Sequence, residues 1–244
     1  MTMLDFIGTI AIVATMVVTI NAVISSLSIT RLQRLGVALA VGVWIGLASA
    51  FATSGLLAVA QPFPLIGAFV FLPLVAAAAL AASSQEWRGA LIGLPMPLLV
   101  GLNIARLLGV MFLLLAADGR LSGPFPYSAG WGDIIVGALA VPALWLASRP
   151  VPQAPAFLSA WNIFGALDLI VAVALGVTSG PNAPFPLFEA GNASLVQGLP
   201  WSFIPTVLVP FFLIVHAILF VQLRRTGQVG ASDRWAARTV HAGR

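Results

Sequence analysis

The chain has 244 residues, of which 60% are hydrophobic and only 7% are charged, and its formal net charge at pH 7 is +4. Several apolar stretches are long enough to cross a bilayer core of ~30 Å, which takes about 20 residues of α-helix. The composition excludes an ordinary soluble protein and indicates an integral membrane protein, and the continuous apolar runs are typical of helices rather than of a barrel.

Three kinds of site are disfavoured by residue types that are missing or rare. There is no cysteine, so disulfides and thiolate metal ligands are excluded. All 11 basic residues are arginine, whereas a retinal Schiff base needs a lysine amine. The two histidines are His216 and His241, and His241 lies in the polar tail, which disfavours a bis-histidine haem inside the membrane. We therefore expect no cofactor and no metal site.

We predict an all-α fold, a bundle of seven transmembrane helices that forms a single domain over residues 1–223. The predicted spans are about 5–29, 35–60, 64–83, 91–116, 130–148, 156–178 and 201–223. A basic tail follows over residues 224–244. The first span begins with Asp5 and not with a basic region, so we expect a retained helix and not a removed signal peptide.

The arginines outside the spans are distributed unevenly between the two ends of the predicted bundle. Only Arg120 falls at the end that holds the N-terminus. The other end carries Arg31, Arg34, Arg88, Arg149, Arg224, Arg225, Arg234, Arg238 and Arg244. Because cytoplasmic loops are rich in basic residues, this bias predicts an external N-terminus and a cytoplasmic C-terminus. The tail arginines are expected to contact anionic lipid headgroups, and the positive charge needs no nucleic-acid partner.

Two Gly-x-x-x-Gly pairs predict close helix packing. Gly42 and Gly46 lie in the second span, and Gly89 and Gly93 lie at the start of the fourth. Glycine at this spacing lets helix backbones approach each other closely.

The tripeptide Pro-Phe-Pro occurs three times, at 62–64, 124–126 and 184–186, each time in a predicted external connection. Three related hairpins that follow one extra helix would explain this recurrence. Alternatively, proline simply suits helix starts and phenylalanine suits the membrane interface. Both explanations stay open.

Arg106 and Asp168 are the strongest functional clue, because each lies in the middle of an apolar span. An ionised side chain at the bilayer centre costs about 2.5–3.5 kcal/mol on insertion scales, so it persists mainly when it is paired, hydrated or functional. Counted along the helices, both residues lie ~15 Å below the outer end of their spans. We therefore expect these two residues to form a pair inside the bundle.

Further polar residues are expected to form layers around this pair. Asn103 precedes Arg106 by three positions and should face the same direction, one turn deeper. Asp133 is expected only a few ångströms below the outer surface, in the first turn of a helix, where a carboxylate suits the helix dipole. The remaining three are expected ~22–25 Å from that surface, and they are Asn21, Asn162 and His216.

Three functional interpretations of this polar core stay open. In the first, Asp133 receives a proton or small cation, the Arg106/Asp168 pair gates the midplane, and His216 continues the path of a proton or small-solute transporter or channel. In the second, the pair only fixes helix register in a non-catalytic component that binds a partner subunit, another copy of the chain or lipid. In the third, the protein is an intramembrane enzyme.

One short stretch resembles an enzyme family. The run 130–133, Gly-Trp-Gly-Asp, resembles the Gly-x-Gly-Asp signature of intramembrane aspartyl proteases, and 142–144 resembles their Pro-Ala-Leu element. In that family the partner aspartate precedes Gly-x-Gly-Asp, whereas Asp168 follows it here. The depth count also separates Asp133 from Asp168 by ~12 Å, too far for a catalytic dyad to share a proton.

A looser likeness covers most of the chain and concerns uncharacterised multi-pass membrane proteins of bacteria. The residues that carry it are Arg106, Gly109, Phe112, Ala129–Asp133, Trp161, Asn162, Gly165 and Asp168. The chain is similar to these proteins in this pattern, which implies a shared bundle in a bacterial cytoplasmic membrane. The resemblance assigns no activity.

Overall fold

The computed structural model describes residues 2–58, 63–149, 151, 154–179, 187–188 and 190–242, and for 63, 64 and 226–242 the backbone alone. The α-helices are α1 (Met3–Ser26), α2 (Arg31–Thr53), α3 (Phe63–Ser83), α4 (Gln85–Ile92), α5 (Met96–Leu102), α6 (Val110–Ala117), α7 (Pro124–Ala147), α8 (Ala154–Thr178) and α9 (Val209–Ala242). Segments of 3₁₀-helix lie at Leu56–Ala58, Asn103–Gly109 and Ser194–Gln197, and a π-helical segment lies at Ile204–Leu208.

Seven helical stretches in these ranges are long and apolar enough to cross a membrane. They are Met3–Ser26, Arg31–Thr53, Leu65–Ser83, Met96–Ala117, Pro124–Ala147, Ala154–Thr178 and Ile204–Arg225. The all-α class and the predicted number of spans are therefore confirmed.

Two spans begin at least five residues away from their predicted starts. The fourth begins at Met96 and not at 91, because α4 ends before Pro95, which has no backbone N–H to continue a helix. The fifth begins at Pro124 and not at 130: Gly123 turns the chain with a φ of 80°, and proline suits the first helical turn. This Pro-Phe-Pro copy therefore starts a helix, and the other two extend outside the described residues.

One end of the bundle, which we call the Asp5 end, is held by polar contacts of Asp5. Arg120 donates from Nη2 to Asp5 Oδ1 at 2.7 Å, and Trp201 donates from Nε1 to the same oxygen at 3.1 Å. Asp5 also accepts from the backbone N–H of Thr2 in a capping box. The start of α1, the connection before α7 and the approach to the last span therefore meet here.

The opposite end, which we call the Glu86 end, joins the start of α2, α4 and the last span. Gln33 donates to Glu86 Oε1 at 3.0 Å, and Gln222 donates to the carbonyl oxygen of Leu94 at 2.7 Å. The arginine-rich connections at 30–35 and 84–89 lie beside these contacts.

The spans differ greatly in how deeply they are buried. α7 packs against α5, α6, α8 and the 3₁₀ segment at Asn103–Gly109, so it lies at the centre of the bundle. The apolar window of the last span is 61% buried, whereas that of α2 is 6% buried. A Cβ placed on Gly42, Gly46 or Gly89 would meet nothing within 4 Å. Close packing at these three glycines within the chain was therefore a wrong prediction, because α2 lies at the periphery and Gly89 is exposed on α4.

The π-helical turn at the start of the last span is hydrogen-bonded to the peripheral helix α2. Pro210 has no N–H, so the carbonyl of Thr206 lacks its usual donor four residues later. The indole Nε1 of Trp44 donates to that carbonyl at 2.9 Å. Irregular backbone at membrane depth is tolerated when another group satisfies it, and Trp44 does so here.

Candidate functional site: a buried arginine with two carboxylates

Arg106 is placed by a 3₁₀ segment in the middle of the fourth span. In a 3₁₀-helix residues three positions apart lie directly above one another. Asn103, Arg106 and Gly109 therefore share one face, and all three are buried. A 3₁₀ run of seven residues is unusually long and is a common sign of a functional or strained segment.

The guanidinium of Arg106 makes hydrogen bonds to residues of three other spans. Its Nε donates to Asp133 Oδ1 at 2.6 Å, and its Nη2 donates to Asp168 Oδ2. Its Nη1 donates to the carbonyl oxygen of Gly165 at 3.0 Å and lies 3.2 Å from His216 Nε2. Four of the five N–H groups of the guanidinium are thereby engaged.

The two carboxylates lie side by side on one edge of this guanidinium. Nε and Nη2 are bonded to the same carbon, and together they form the edge that usually binds a single carboxylate through both oxygens. Here Asp133 and Asp168 supply one oxygen each. The side chains of Arg106, Asp133 and Asp168 are 2%, 16% and 7% exposed, so one cation and two acidic groups share a nearly closed volume.

The tautomer of His216 follows from its neighbours. Asn162 donates from Nδ2 to the carbonyl oxygen of His216 at 3.0 Å, which fixes the orientation of the amide. The amide oxygen of Asn162 then faces His216 Nδ1 at 2.8 Å, so Nδ1 must carry the proton. His216 Nε2 therefore presents a lone pair to Arg106, and a proton on it would face the N–H of the guanidinium.

Three glycines leave room for the charged groups. A Cβ on Gly109 would overlap Asp133, and a Cβ on Gly132 would overlap the carboxylate of Asp168. A Cβ on Gly165 would lie 2.6 Å from Cε1 of His216. Each glycine thus lies against one partner of Arg106, and the close approach needs a residue without a side chain.

Two small cavities border the cluster, and both contact Asp133. The Thr15 cavity, of ≈ 50 Å³, lies between α1, the 3₁₀ segment and the π-helical turn, and Arg106 and Trp201 also line it. The Gln197 cavity, of ≈ 40 Å³, lies between α7, α8 and the start of the last span, and its lining extends from Asp133 to Gln197. Within the described ranges no group of three or more His, Asp or Glu side chains could hold a metal ion.

The expected depth of Asp133 is wrong. Because α7 begins at Pro124, Asp133 is preceded by nine helical residues, or ~14 Å of helix, and does not lie in the first turn. It therefore reaches the level of Asp168, and both contact Arg106. The separation of ~12 Å that argued against a dyad is thus removed. Two features still distinguish this cluster from a protease dyad: Asp168 follows the Gly-x-Gly-Asp run, and both carboxylates bind one guanidinium.

The deeper polar residues do not form the separate layer that was expected. Asn162 and His216 belong to the Arg106 cluster and not to a separate layer, because the long arginine side chain reaches across the difference in depth. Asn103 is buried, but its amide donates to the carbonyl of Leu99, and among the described residues its Oδ1 has no partner. Asn21 is exposed and donates to Val17 of its own helix, outside the cluster.

Sequence reasoning missed the backbone and aromatic members of the site. The carbonyl of Gly165 binds Arg106, and Trp161 donates from Nε1 to the carbonyl of Val136 at 3.1 Å. The Trp161 ring also lies 5.8 Å from that of His216. The one available signal was the spacing of Trp161, Asn162 and Gly165 on one helix, ahead of Asp168.

The glycine beside Asp168 provides a stability test. We expect Gly132→Ala to lower the free energy of unfolding by about 1–3 kcal/mol, because the added methyl must displace the carboxylate from Arg106. In Gly67→Ala the methyl meets open space, so this control should be neutral or slightly stabilising. Unfolding of both variants in one detergent gives the comparison, and equal effects would refute the close contact.

The tautomer of His216 is directly measurable. We expect the ¹⁵N chemical shifts of neutral His216 to show a protonated Nδ1 and an unprotonated Nε2, since Asn162 accepts from the first and Arg106 donates to the second. A His241→Ala variant leaves His216 as the single histidine and assigns the signal. A proton found on Nε2 would contradict the arrangement.

Comparisons with known proteins identify the family and no activity. A family model described as a domain of unknown function (DUF8737) matches residues 64–224. No curated protein and no solved structure matches the chain. All residues of the Arg106 cluster lie inside the matched range, whereas α1 and α2 precede it. The chain therefore belongs to the DUF8737 family.

Proposed function

We propose that the protein is a membrane transporter or channel for protons or small solutes, and that the Arg106 cluster is its ion-binding centre. The observation that carries this proposal is the sharing of one buried guanidinium by two carboxylates. An ionisable group deep in a membrane span is costly, and such groups commonly mark ion or proton pathways.

The charges of the cluster favour uptake of one positive charge. With both carboxylates ionised, Arg106 balances only one of them, and the group carries a net negative charge. An uncompensated charge in a buried site is expensive, so a proton or a monovalent cation stabilises the cluster. His216 is a poor place for that proton, because its Nε2 faces the guanidinium. The carboxylates are the better acceptors.

A change of charge here would act on several spans at once. Arg106 links the 3₁₀ segment to α7, α8 and α9 through Asp133, Asp168 and His216. Protonation of one carboxylate weakens its bond to Arg106, and the packing of the spans then shifts towards the arrangement that fits the new charge state. Coupling of proton binding to helix movement is the basis of the proposed transport.

The orientation proposed for the protein follows its arginines. We place the Glu86 end in the cytoplasm and the Asp5 end outside, in a bacterial cytoplasmic membrane. The contacts of Gln33 with Glu86 and of Gln222 with Leu94 support this orientation, since they bring the arginine-rich connections to one end. The basic tail after Arg225 would then bind anionic lipid headgroups.

A purely structural role is the second candidate. Asp133, Asp168 and His216 each pack tightly against a glycine, which suits a permanent link between the spans. In this role the protein is a component that binds a partner subunit, another copy of the chain or lipid. The two roles differ in what happens when a carboxylate is neutralised without a change of shape.

Flux through reconstituted vesicles tests the proposal. We expect the wild type to dissipate an imposed pH gradient, followed with a trapped pH-sensitive dye. Asp168→Asn should abolish this flux, because Arg106 then balances Asp133 alone and the cluster no longer takes up a further positive charge. The matched control is Asp118→Asn, which neutralises an exposed carboxylate outside the cluster and should transport like the wild type.

Two outcomes would contradict proton transport. Wild-type vesicles that lose the gradient no faster than protein-free vesicles exclude proton flux. Asp168→Asn that transports normally but unfolds more easily than Asp118→Asn supports the structural role.

A further inference from the structure

The two carboxylates of the cluster have different access to space that water can occupy. The Asp133 side chain is 16% exposed and borders both cavities, whereas that of Asp168 is 7% exposed and borders neither. Asp168 lies against Gly132, where not even a methyl group would fit. Of the two, Asp133 is therefore the carboxylate that faces open volume.

The Gln197 cavity leads from Asp133 towards the Asp5 end. It passes Ala129 and Phe125, one and two turns before Asp133 on α7, a distance of ~12 Å along the helix. A buried water needs about 10–15 Å³ of such space, so ≈ 40 Å³ is room enough for two or three water molecules. Asp133 and Gln197 supply polar groups at the two ends of this cavity.

The charged and titratable groups around Asp133 indicate that Asp133 is the group that exchanges a proton with the cavity. Arg106 faces it from the 3₁₀ segment, Asp168 faces it from α8, and His216 lies beyond the guanidinium on α9. Among the described residues that line the Gln197 cavity, Asp133 is the only one with a charged side chain. A cation or proton that enters this cavity therefore meets Asp133 first.

We infer that Asp133 is the carboxyl group that exchanges its proton with water, through the Gln197 cavity, while Asp168 stays paired with Arg106 as the fixed counter-charge. This inference rests on the proposed function only for its role in transport. In the loading step a hydronium ion in the cavity gives its proton to a carboxylate oxygen of Asp133, and a neutral water molecule remains. Arg106 then neutralises Asp168 alone.

Infrared spectroscopy assigns the protonated carboxyl. We expect a carboxylic C=O band that responds to pH and to D₂O in reconstituted wild type and that is lost in Asp133→Asn. In Asp168→Asn the band is retained but appears at lower pH, because Arg106 then balances Asp133 alone. A band that persists in Asp133→Asn and disappears in Asp168→Asn overturns the assignment, as does the absence of any titrating band. The two amide variants match each other in shape and in the charge removed.

A second pair of variants tests the route without touching the cluster. Ala172 lines the Gln197 cavity, whereas Ala174 on the same helix is exposed. We expect Ala172→Leu to slow deuterium exchange of the carboxyl by at least ~10-fold, because exchange then requires local opening, and Ala174→Leu to leave it unchanged. Equal exchange rates in the two variants overturn the route.

The infrared spectra and the flux assay test different claims, so either claim can be refuted while the other stands. Wild type that shows the band on Asp133 but carries no flux refutes the proposed function and leaves the assignment standing. Flux accompanied by a band on Asp168 refutes the assignment and leaves the proposed function standing.

Discussion

The bond from one buried guanidinium to two carboxylates is the constraint to which the rest of the core is fitted. Asp133 and Asp168 must approach the same edge of Arg106, so α7 and α8 must lie close to the fourth span. Gly109 and Gly132 permit that approach, because a larger residue would overlap Cβ of Asp133 at the first position and the carboxylate of Asp168 at the second. The 3₁₀ segment points Arg106 inward on the same face as Gly109.

The low polarity of a membrane interior raises the energetic cost of any unbalanced charge in this cluster. In water a surface ion pair contributes little, but a buried charge without its partner is strongly destabilising. The cluster has one cation for two acidic groups, so its charge is balanced only when it holds a further positive charge. Both cavities border Asp133, and in the proposed function they are the space from which that charge arrives.

The sequence predicted the seven spans and the common level of Arg106 and Asp168, because apolar run length and helical rise depend only on local sequence. It misplaced Asp133, since the apolar pattern does not reveal that Pro124 already starts α7. The partners of a glycine are also invisible in sequence. Gly42 belongs to a Gly-x-x-x-Gly packing motif, yet a Cβ placed on it would have no neighbour within 4 Å. Gly132 belongs to no such pair, yet it contacts Asp168 on the neighbouring helix.

The most direct test of the shared guanidinium is the free energy of unfolding of charge variants measured singly and together. Arg106→Gln alone should cost about 3–5 kcal/mol, because it leaves two carboxylates buried without a cation. Addition of Asp133→Asn and Asp168→Asn to that variant should recover most of the loss. If the three effects simply add, the charges do not interact, and Asp133 and Asp168 do not share the guanidinium of Arg106.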